Sequence, residues 1–247
     1  MVLKFALPSE DHILGIPVGK HVTIHTRING KYVIRSYTPI TTDDIKGYVE
    51  FMIKIYWPTE ENPRGGLMSH YLSQCKVGDF LNFRGPCGIY TYETPGKIRI
   101  DKDDKKTIHK VKEIGMIAGG TGITPLLQIM RCIFRHVDED DTKISVLYAA
   151  RTWRDILYWE ELERLTRTMI GQFRINYTVE IKPTVRVGFE NWPHFVGLIS
   201  KDMLKKTMPR SSKDMKILVC GPPGMIRFAC LPNLKALGYT RDQILCY

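Results

Sequence analysis

Three glycines mark the stretch of this chain with most scope for chemistry. Gly119, Gly120 and Gly122 follow the apolar run Ile114 to Ala118. Thr124-Pro125 then lead into Leu126, Leu127, Ile129, Met130, Ile133 and Phe134 at helical spacing. A glycine turn that opens a helix gathers bare backbone N–H groups at the positive end of the helix dipole, which suits a pyrophosphate. Pro125 suits the first helical position, where no N–H is needed, and Thr124 suits the cap before it. A second such corner is Gly65-Gly66 ahead of Leu67, Met68, Ser69, His70, Tyr71 and Leu72, a second candidate anion site. An ordinary strand–turn–helix corner that holds nothing is the plainer alternative.

The other reactive side chains point away from metal. Cys75, Cys87, Cys132, Cys220, Cys230 and Cys246 include no CxxC pair, so no zinc site is expected. Several lie in apolar runs, as reduced buried thiols do, which fits a reducing compartment better than a disulfide framework. The net charge of +10 implies an acidic partner. No zinc finger or aromatic RNA-binding motif accompanies it, so no nucleic-acid partner is expected. The basic residues are spread along the chain, and a plain solvated surface is the alternative.

The elements that must position these residues fall into two halves. Hydrophobic and charged shares of 43% and 25% belong to a soluble globular chain. No apolar run approaches the ~20 residues of a membrane span. The N-terminus turns polar too soon for a secretory signal and starts inside a strand-like stretch, which fits a truncated start.

Short segments at Val2–Leu7, His21–Thr26, Tyr32–Tyr37, Tyr48–Tyr56 and Phe80–Arg84, split by turn signals such as Asn29-Gly30, predict a small closed antiparallel barrel over 1–95. Residues 96–112 are lysine-rich and read as an exposed connector or hairpin. From 113 to 247 strands alternate with helices: strand Ile114–Ala118, helix Pro125–Arg135, strand Lys143–Ala149, helix Trp159–Arg167, strand Phe173–Glu180. Then come strand Val196–Ile199, helix Lys201–Thr207, strand Lys216–Cys220 and helix Met225–Leu237, bent at Pro232. That order predicts a Rossmann-like parallel sheet with ligands at the carboxyl ends of its strands. Gly119 and Cys220-Gly221-Pro222-Pro223 both fall at such ends.

Four motifs in order, Arg35-Ser36-Tyr37-Thr38-Pro39, Gly65-Gly66-Leu67-Met68-Ser69, Gly119–Pro125 and Cys220-Gly221-Pro222-Pro223-Gly224-Met225, resemble the FAD-dependent reductases of the ferredoxin–NADP reductase superfamily. Within it, the match is to the NADH–cytochrome b5 reductase family, over essentially the whole chain. The resemblance implies an FAD-binding barrel followed by an NADH-binding α/β domain. It implies hydride transfer from NADH to FAD, then single electrons to cytochrome b5 or a similar acidic haem protein. In this reading Arg35 pairs with the FAD pyrophosphate, Tyr37 packs on the flavin and Thr38 hydrogen-bonds its reactive end. Backbone N–H groups of Gly66 and Met68, with the Ser69 hydroxyl, meet the same pyrophosphate. Lys54 and Tyr56, on the preceding strand, line the flavin and NADH sites.

The Gly119–Pro125 turn, with Gly120, Thr121 and Pro125, holds the NADH pyrophosphate, with Thr124 near the flavin, and Cys220 positions the nicotinamide for hydride transfer. Ser36, Pro39, Met52, Leu67, Ala149, Asp155, Gly221, Pro222 and Met225 complete the implied cofactor contacts. The chemistry belongs to the cofactors, so the histidines need no catalytic role. His70 reads as a solvated or capping residue. A flavin module serving another haem or redox acceptor, as in a nitrate reductase, is the alternative function, and a non-enzymatic basic interaction module is a third. The resemblance also implies a monomer on the cytoplasmic side of the endoplasmic reticulum or the mitochondrial outer membrane. An anchor there would lie N-terminal to this region.

Three stretches depart from the pattern. Leu67 stands where the family usually has a lysine implicated in contact with cytochrome b5, whereas Lys105 and Lys106 match a family pair. The loop Pro58–Arg64 is shorter than usual. Ala150-Arg151 replaces the usual Asn-Gln beside the adenine ribose, and Arg151, Arg154 and Tyr158 are similar to the stretch that holds a 2′-phosphate in NADPH-dependent relatives. Glu180 stands where NADH enzymes keep an acid that repels this phosphate. NADH is the expected donor, with NADPH weaker.

Overall fold

The computed structural model describes residues 1–60, 63–183 and 192–247 and divides the chain into two compact units, Met1–Thr91 and Tyr92–Tyr247. Residues 61 and 62 of the loop Pro58–Arg64 lie outside the described residues.

The first unit contains β1 (Val2–Ala6), β2 (His21–Ile28), β3 (Lys31–Tyr37), β4 (Tyr48–Met52), α1 (Leu67–Gln74) and β5 (Asn82–Cys87). All its strand pairs are antiparallel: β1 with β4, and β2 with β3 on one side and β5 on the other. Asn29 and Gly30 both take positive φ at the tip of the β2–β3 hairpin, as a two-residue turn matched to strand twist requires. Val22 and Ile24 of β2, with Val49 and Phe51 of β4, project every second residue into one core. Met68 and Leu72 of α1 fill the same core, with Phe83 stacked on Phe51 at 5.5 Å. β4 ends at Met52, four residues short of the expected Tyr56, so Lys54 and Tyr56 sit beyond the strand. The last strand runs Asn82–Cys87 rather than Phe80–Arg84, because Val77-Gly78-Asp79-Phe80 is a fully solvated turn.

The second unit begins with β6 (Tyr90–Glu93), which straddles the division, and the hairpin β7 (Lys97–Lys102) and β8 (Lys105–Lys110). β6, β7 and β8 make one three-stranded sheet. The buried Asp140 carboxylate ties this sheet down, accepting from the Tyr92 hydroxyl at 2.7 Å and from Gly96 N at 3.3 Å. There follow β9 (Glu113–Gly119), α2 (Ile123–Arg135), β10 (Lys143–Ala150), α3 (Trp159–Thr168), β11 (Phe173–Val179), β12 (Phe195–Val196) and α4 (Lys201–Thr207). β13 (Met215–Cys220), α5 (Leu231–Ala236) and β14 (Ile244–Cys246) complete the unit.

Six of these strands form a parallel sheet in the order β12-β11-β10-β9-β13-β14. The chain runs outward from β9 in one direction, then returns to lay β13 on its other flank. The order therefore reverses between β9 and β13, and an open sheet holds ligands outside the carboxyl ends of strands at such a point. The expected helix Met225–Leu237 is instead a π-helical turn, Met225–Cys230, running into α5. Pro232 lies in the first turn of α5, where its missing N–H and its ring are tolerated once the preceding turn has widened.

Candidate functional site

In the first unit the expected residues gather around the end of β3 and the start of α1. Arg35 and Ser36 are exposed on β3, and the Arg35 guanidinium donates to Ile34 O at 2.7 Å. Tyr37 and Thr38 are half-buried and Pro39 is buried. Burial pushes the Tyr37 phenol up to about 12, with Arg35 pulling the other way, so its hydroxyl stays protonated. Met52 closes β4 opposite Val2. Lys54 and Tyr56 are exposed, with the Lys54 ammonium 5.9 Å from the Tyr56 ring centroid.

The corner at Gly65-Gly66 is latched from below. Gly65 takes φ +58°, Gly66 N donates to Tyr56 O at 2.8 Å, and a Cβ on Gly66 would stand 2.5 Å from Ser69 Oγ. The Ser69 hydroxyl is buried. It donates to Gly66 O at 3.0 Å and accepts Tyr56 N at 3.1 Å. Its proton thus closes the corner, and the N–H groups of Leu67, Met68 and Ser69, ahead of the first helical bond from His70 N to Gly66 O, have no partner within the helix. Leu67 is 40% exposed, which leaves an apolar side chain at the mouth of the corner. His70 is neither a cap nor freely solvated: its ring meets Trp57 edge-on at 4.9 Å.

In the second unit the two late motifs meet. Cys220 pairs in register with Ala118, so the Gly119–Gly122 turn and Cys220-Gly221 leave neighbouring strands side by side. Glycine is what permits this approach. A Cβ on Gly122 would run into the carbonyl oxygen of Cys220 and stand 2.8 Å from Gly221 N; one on Gly221 would lie 3.0 Å from Gly119 Cα. A Cβ on Gly119 would lie 2.8 Å from Pro222 Cδ and 2.5 Å from Met225 Sδ.

Thr124 is not the cap. Gly120–Gly122 form a 3₁₀ turn continuous with α2, the α-helix starts at Ile123, and the Thr124 hydroxyl donates back to Thr121 O at 3.1 Å. Pro125 is accordingly the third residue of α2, not the first, and still lies in the first helical turn, where its ring and missing N–H are tolerated. Burial pushes the Cys220 thiol up to about 12, so no thiolate nucleophile exists there at neutral pH.

At the ends of β10 and β11, Ala150 pairs with Val179. The ladder continues with Glu180 N to Ala150 O at 3.1 Å and Ile181 N to Arg151 O at 3.0 Å. Arg151 and Glu180 are therefore neighbours across two strand ends, both exposed, with Ala149 two residues before Arg151. Arg154 lies over Trp153, its guanidinium carbon 5.4 Å from the ring centroid. Asp155 caps its own turn, since its carboxylate accepts from Thr152 N at 3.1 Å and Thr152 Oγ1 at 2.8 Å.

Sequence reasoning missed Tyr148. It is fully buried, donates its hydroxyl to Gly120 O at 2.9 Å and accepts Leu157 N at 3.2 Å. The signal was a phenol inside the apolar run of β10, since a buried tyrosine needs a partner for its hydroxyl. Among the described residues no group of His, Cys, Asp or Glu could hold a metal ion, and no helix is long and apolar enough to cross a membrane.

Comparison with known proteins agrees with this division. The Oxidoreductase FAD-binding domain family matches residues 1–92 and the Oxidoreductase NAD-binding domain family matches residues 116–231. The mouse protein NADH-cytochrome b5 reductase 3 is 42% identical over 248 residues, covering 99% of this chain and 80% of its own. Human NADH-cytochrome b5 reductase 1 is also 42% identical, covering 99% of this chain and 79% of its own. The cytochrome b5 reductase domain of Ulva prolifera nitrate reductase superposes with a TM-score of 0.90 at 34% identity, covering 100% of this chain and 90% of that domain.

Proposed function

The chain belongs to the NADH–cytochrome b5 reductase family, and on that premise we propose that it oxidises NADH and delivers the electrons to cytochrome b5 or a similarly acidic haem protein. FAD, when bound, supplies the chemistry, accepting a hydride and releasing its electrons singly.

The residues of the first unit fit the flavin cofactor. Arg35 offers an exposed guanidinium whose planar fork matches phosphate oxygens. The N–H groups that open α1 add a second set of donors for the same charge. The Tyr37 ring packs on the flavin and the Thr38 hydroxyl orients its reactive edge.

In the second unit the N–H groups of Gly120, Thr121 and Gly122 take the NADH pyrophosphate. Cys220, protonated and half-buried, holds the nicotinamide in place by contact. The Glu180 carboxylate accepts the ribose hydroxyls and disfavours a 2′-phosphate, while Arg151 beside it tempers that preference. Lys105 and Lys106, exposed on β8, meet the acidic partner. We further assign the protein as a monomer that works at the cytoplasmic face of the endoplasmic reticulum or mitochondrial outer membrane, held there by a segment outside this chain.

The observation that carries the reading is the pair of glycine corners on adjacent strands at the reversal of the parallel sheet. A reductase module for another haem domain is the second reading, favoured by the close superposition on the algal nitrate reductase domain. Steady-state reduction of cytochrome b5 and of ferricyanide, with NADH and NADPH in turn, tests both. Rapid cytochrome b5 reduction with NADH is expected. Ferricyanide reduction without cytochrome b5 reduction supports the second reading, and a protein that retains no FAD overturns both.

A further inference from the structure

Tyr148 bridges two segments that the proposed function treats separately. Its hydroxyl donates to Gly120 O, in the turn assigned to the pyrophosphate, and accepts Leu157 N, at the end of the Arg151–Tyr158 stretch assigned to the ribose. A peptide unit is planar and trans, so its C=O and the following N–H point in opposite directions. Fixing Gly120 O on the buried Tyr148 hydroxyl turns the Thr121 N–H the other way, out of the core. Gly120 has φ +53°, and nothing lies within 4 Å of a would-be Cβ, so no neighbour packs on that side of the residue. Ile123 N also donates to Gly120 O, and the phenol supplies its second lone pair with a partner from a different strand.

The other end of the bridge is equally specific. Leu157 N is the last backbone donor before Tyr158, which takes φ +58° as the residue that caps the start of α3. Arg131 of α2 braces the same place. It pairs with Glu161 of α3 through Nε at 2.8 Å and Nη2 at 2.6 Å, and its guanidinium carbon lies 5.3 Å from the Tyr158 ring centroid. The loop between β10 and α3 is thereby referred to the start and the middle of α2.

We propose that Tyr148 is a positioning residue that aims the Thr121 N–H at the dinucleotide pyrophosphate and fixes the Arg151–Tyr158 loop against it. This rests on the assignment of these segments to NADH. Removing the hydroxyl leaves the ring packed but frees both segments, so dinucleotides that span them bind more weakly.

The test is calorimetric titration of the FAD-loaded Tyr148→Phe protein with NAD⁺ and with ADP-ribose, beside wild type and Tyr177→Phe. Tyr177 is the comparator because its buried ring pairs in register with Tyr148 on the next strand, while its hydroxyl bonds Glu163 Oε1 of α3 at 3.0 Å rather than either segment. Tyr148→Phe is expected to raise both dissociation constants about fivefold, as for loss of one net hydrogen bond, with FAD content unchanged and Tyr177→Phe at the wild-type value. In turnover the change appears in KM for NADH with kcat preserved. Wild-type affinity in Tyr148→Phe, or equal weakening in the two variants, overturns the inference alone. Wild-type protein that binds neither ligand overturns the assignment of this turn to NADH, and the inference with it.

Discussion

The two glycine corners read alike in sequence and are held differently. At Gly65-Gly66 the corner is self-contained: one buried hydroxyl, from Ser69, joins Tyr56 N to Gly66 O within 14 residues of chain, ahead of the eight-residue helix α1. At Gly119–Gly122 the corner is held by distant partners. Cys220 and Gly221 press on Gly122, Tyr148 bonds Gly120, and α2 runs on for 13 residues with ten of them buried. A glycine can thus serve the chain itself or a ligand, and local sequence does not separate the two uses. In the first corner Gly66 makes room for a side-chain latch, whereas in the second Gly122 makes room for a neighbouring backbone.

The contrast is open to direct attack. Gly122→Ala should have the largest effect, because backbone atoms of an adjacent strand end cannot swing aside. We expect it to lower the stability of the second unit by about 3 kcal/mol and to abolish NAD⁺ binding. Urea unfolding at the wild-type midpoint would show that the two strand ends separate freely. Arg35→Ala should lower FAD affinity by ~10–100-fold, the worth of one charged hydrogen-bonded pair, without changing NAD⁺ affinity. Full flavin occupancy in repeated dilution and gel filtration would remove Arg35 from the site.

Ser69→Ala tests the latch itself. It orphans the Tyr56 N–H and should cost the first unit about 1–2 kcal/mol, with weaker FAD retention as the secondary result. Weakened FAD binding at unchanged stability would instead mean that the hydroxyl serves the ligand. Glu180→Thr should raise kcat/KM for NADPH ~10-fold, as expected for ~1.4 kcal/mol of relieved repulsion, and leave NADH nearly unchanged. An unaltered ratio of the two efficiencies would place donor choice elsewhere than at the paired ends of β10 and β11.

The smallest effect concerns acid. Burial lowers the pKa of His21 in the first unit and of His194 in the second below the ordinary 6.5. The unfolded chain then binds protons that the folded chain refuses, so stability is complete above pH 6.5 and declines as pH falls through that value. Thermal midpoints measured from pH 7.5 to 5.5 should fall by a few degrees. A midpoint that rises over this interval would reverse the sign.

Much of this molecule was legible before its structure. Antiparallel strands gave way to alternating strands and helices where the composition changed, because periods of 2.0 and 3.6 are written locally by side-chain order. Helix Lys201–Thr207 was placed to the residue, helped by Ser200, whose hydroxyl accepts Met203 N. The resemblance carried by four short motifs placed FAD and NADH in the right halves of the chain. Other features were not local. Nothing near Thr124 says that the 3₁₀ turn before it starts the helical run, or that its hydroxyl folds back to Thr121 O. Ser69 and Asp155 carry groups that suit a ligand, yet their hydrogen bonds close the backbone around them. The pairing of Arg151 with Glu180, the abutment of Gly122 on Cys220 and the bridge from Tyr148 to Gly120 each join residues 28 or more positions apart. Such contacts depend on which strands lie side by side, and strand order is fixed by the packing of the whole sheet rather than by any one segment.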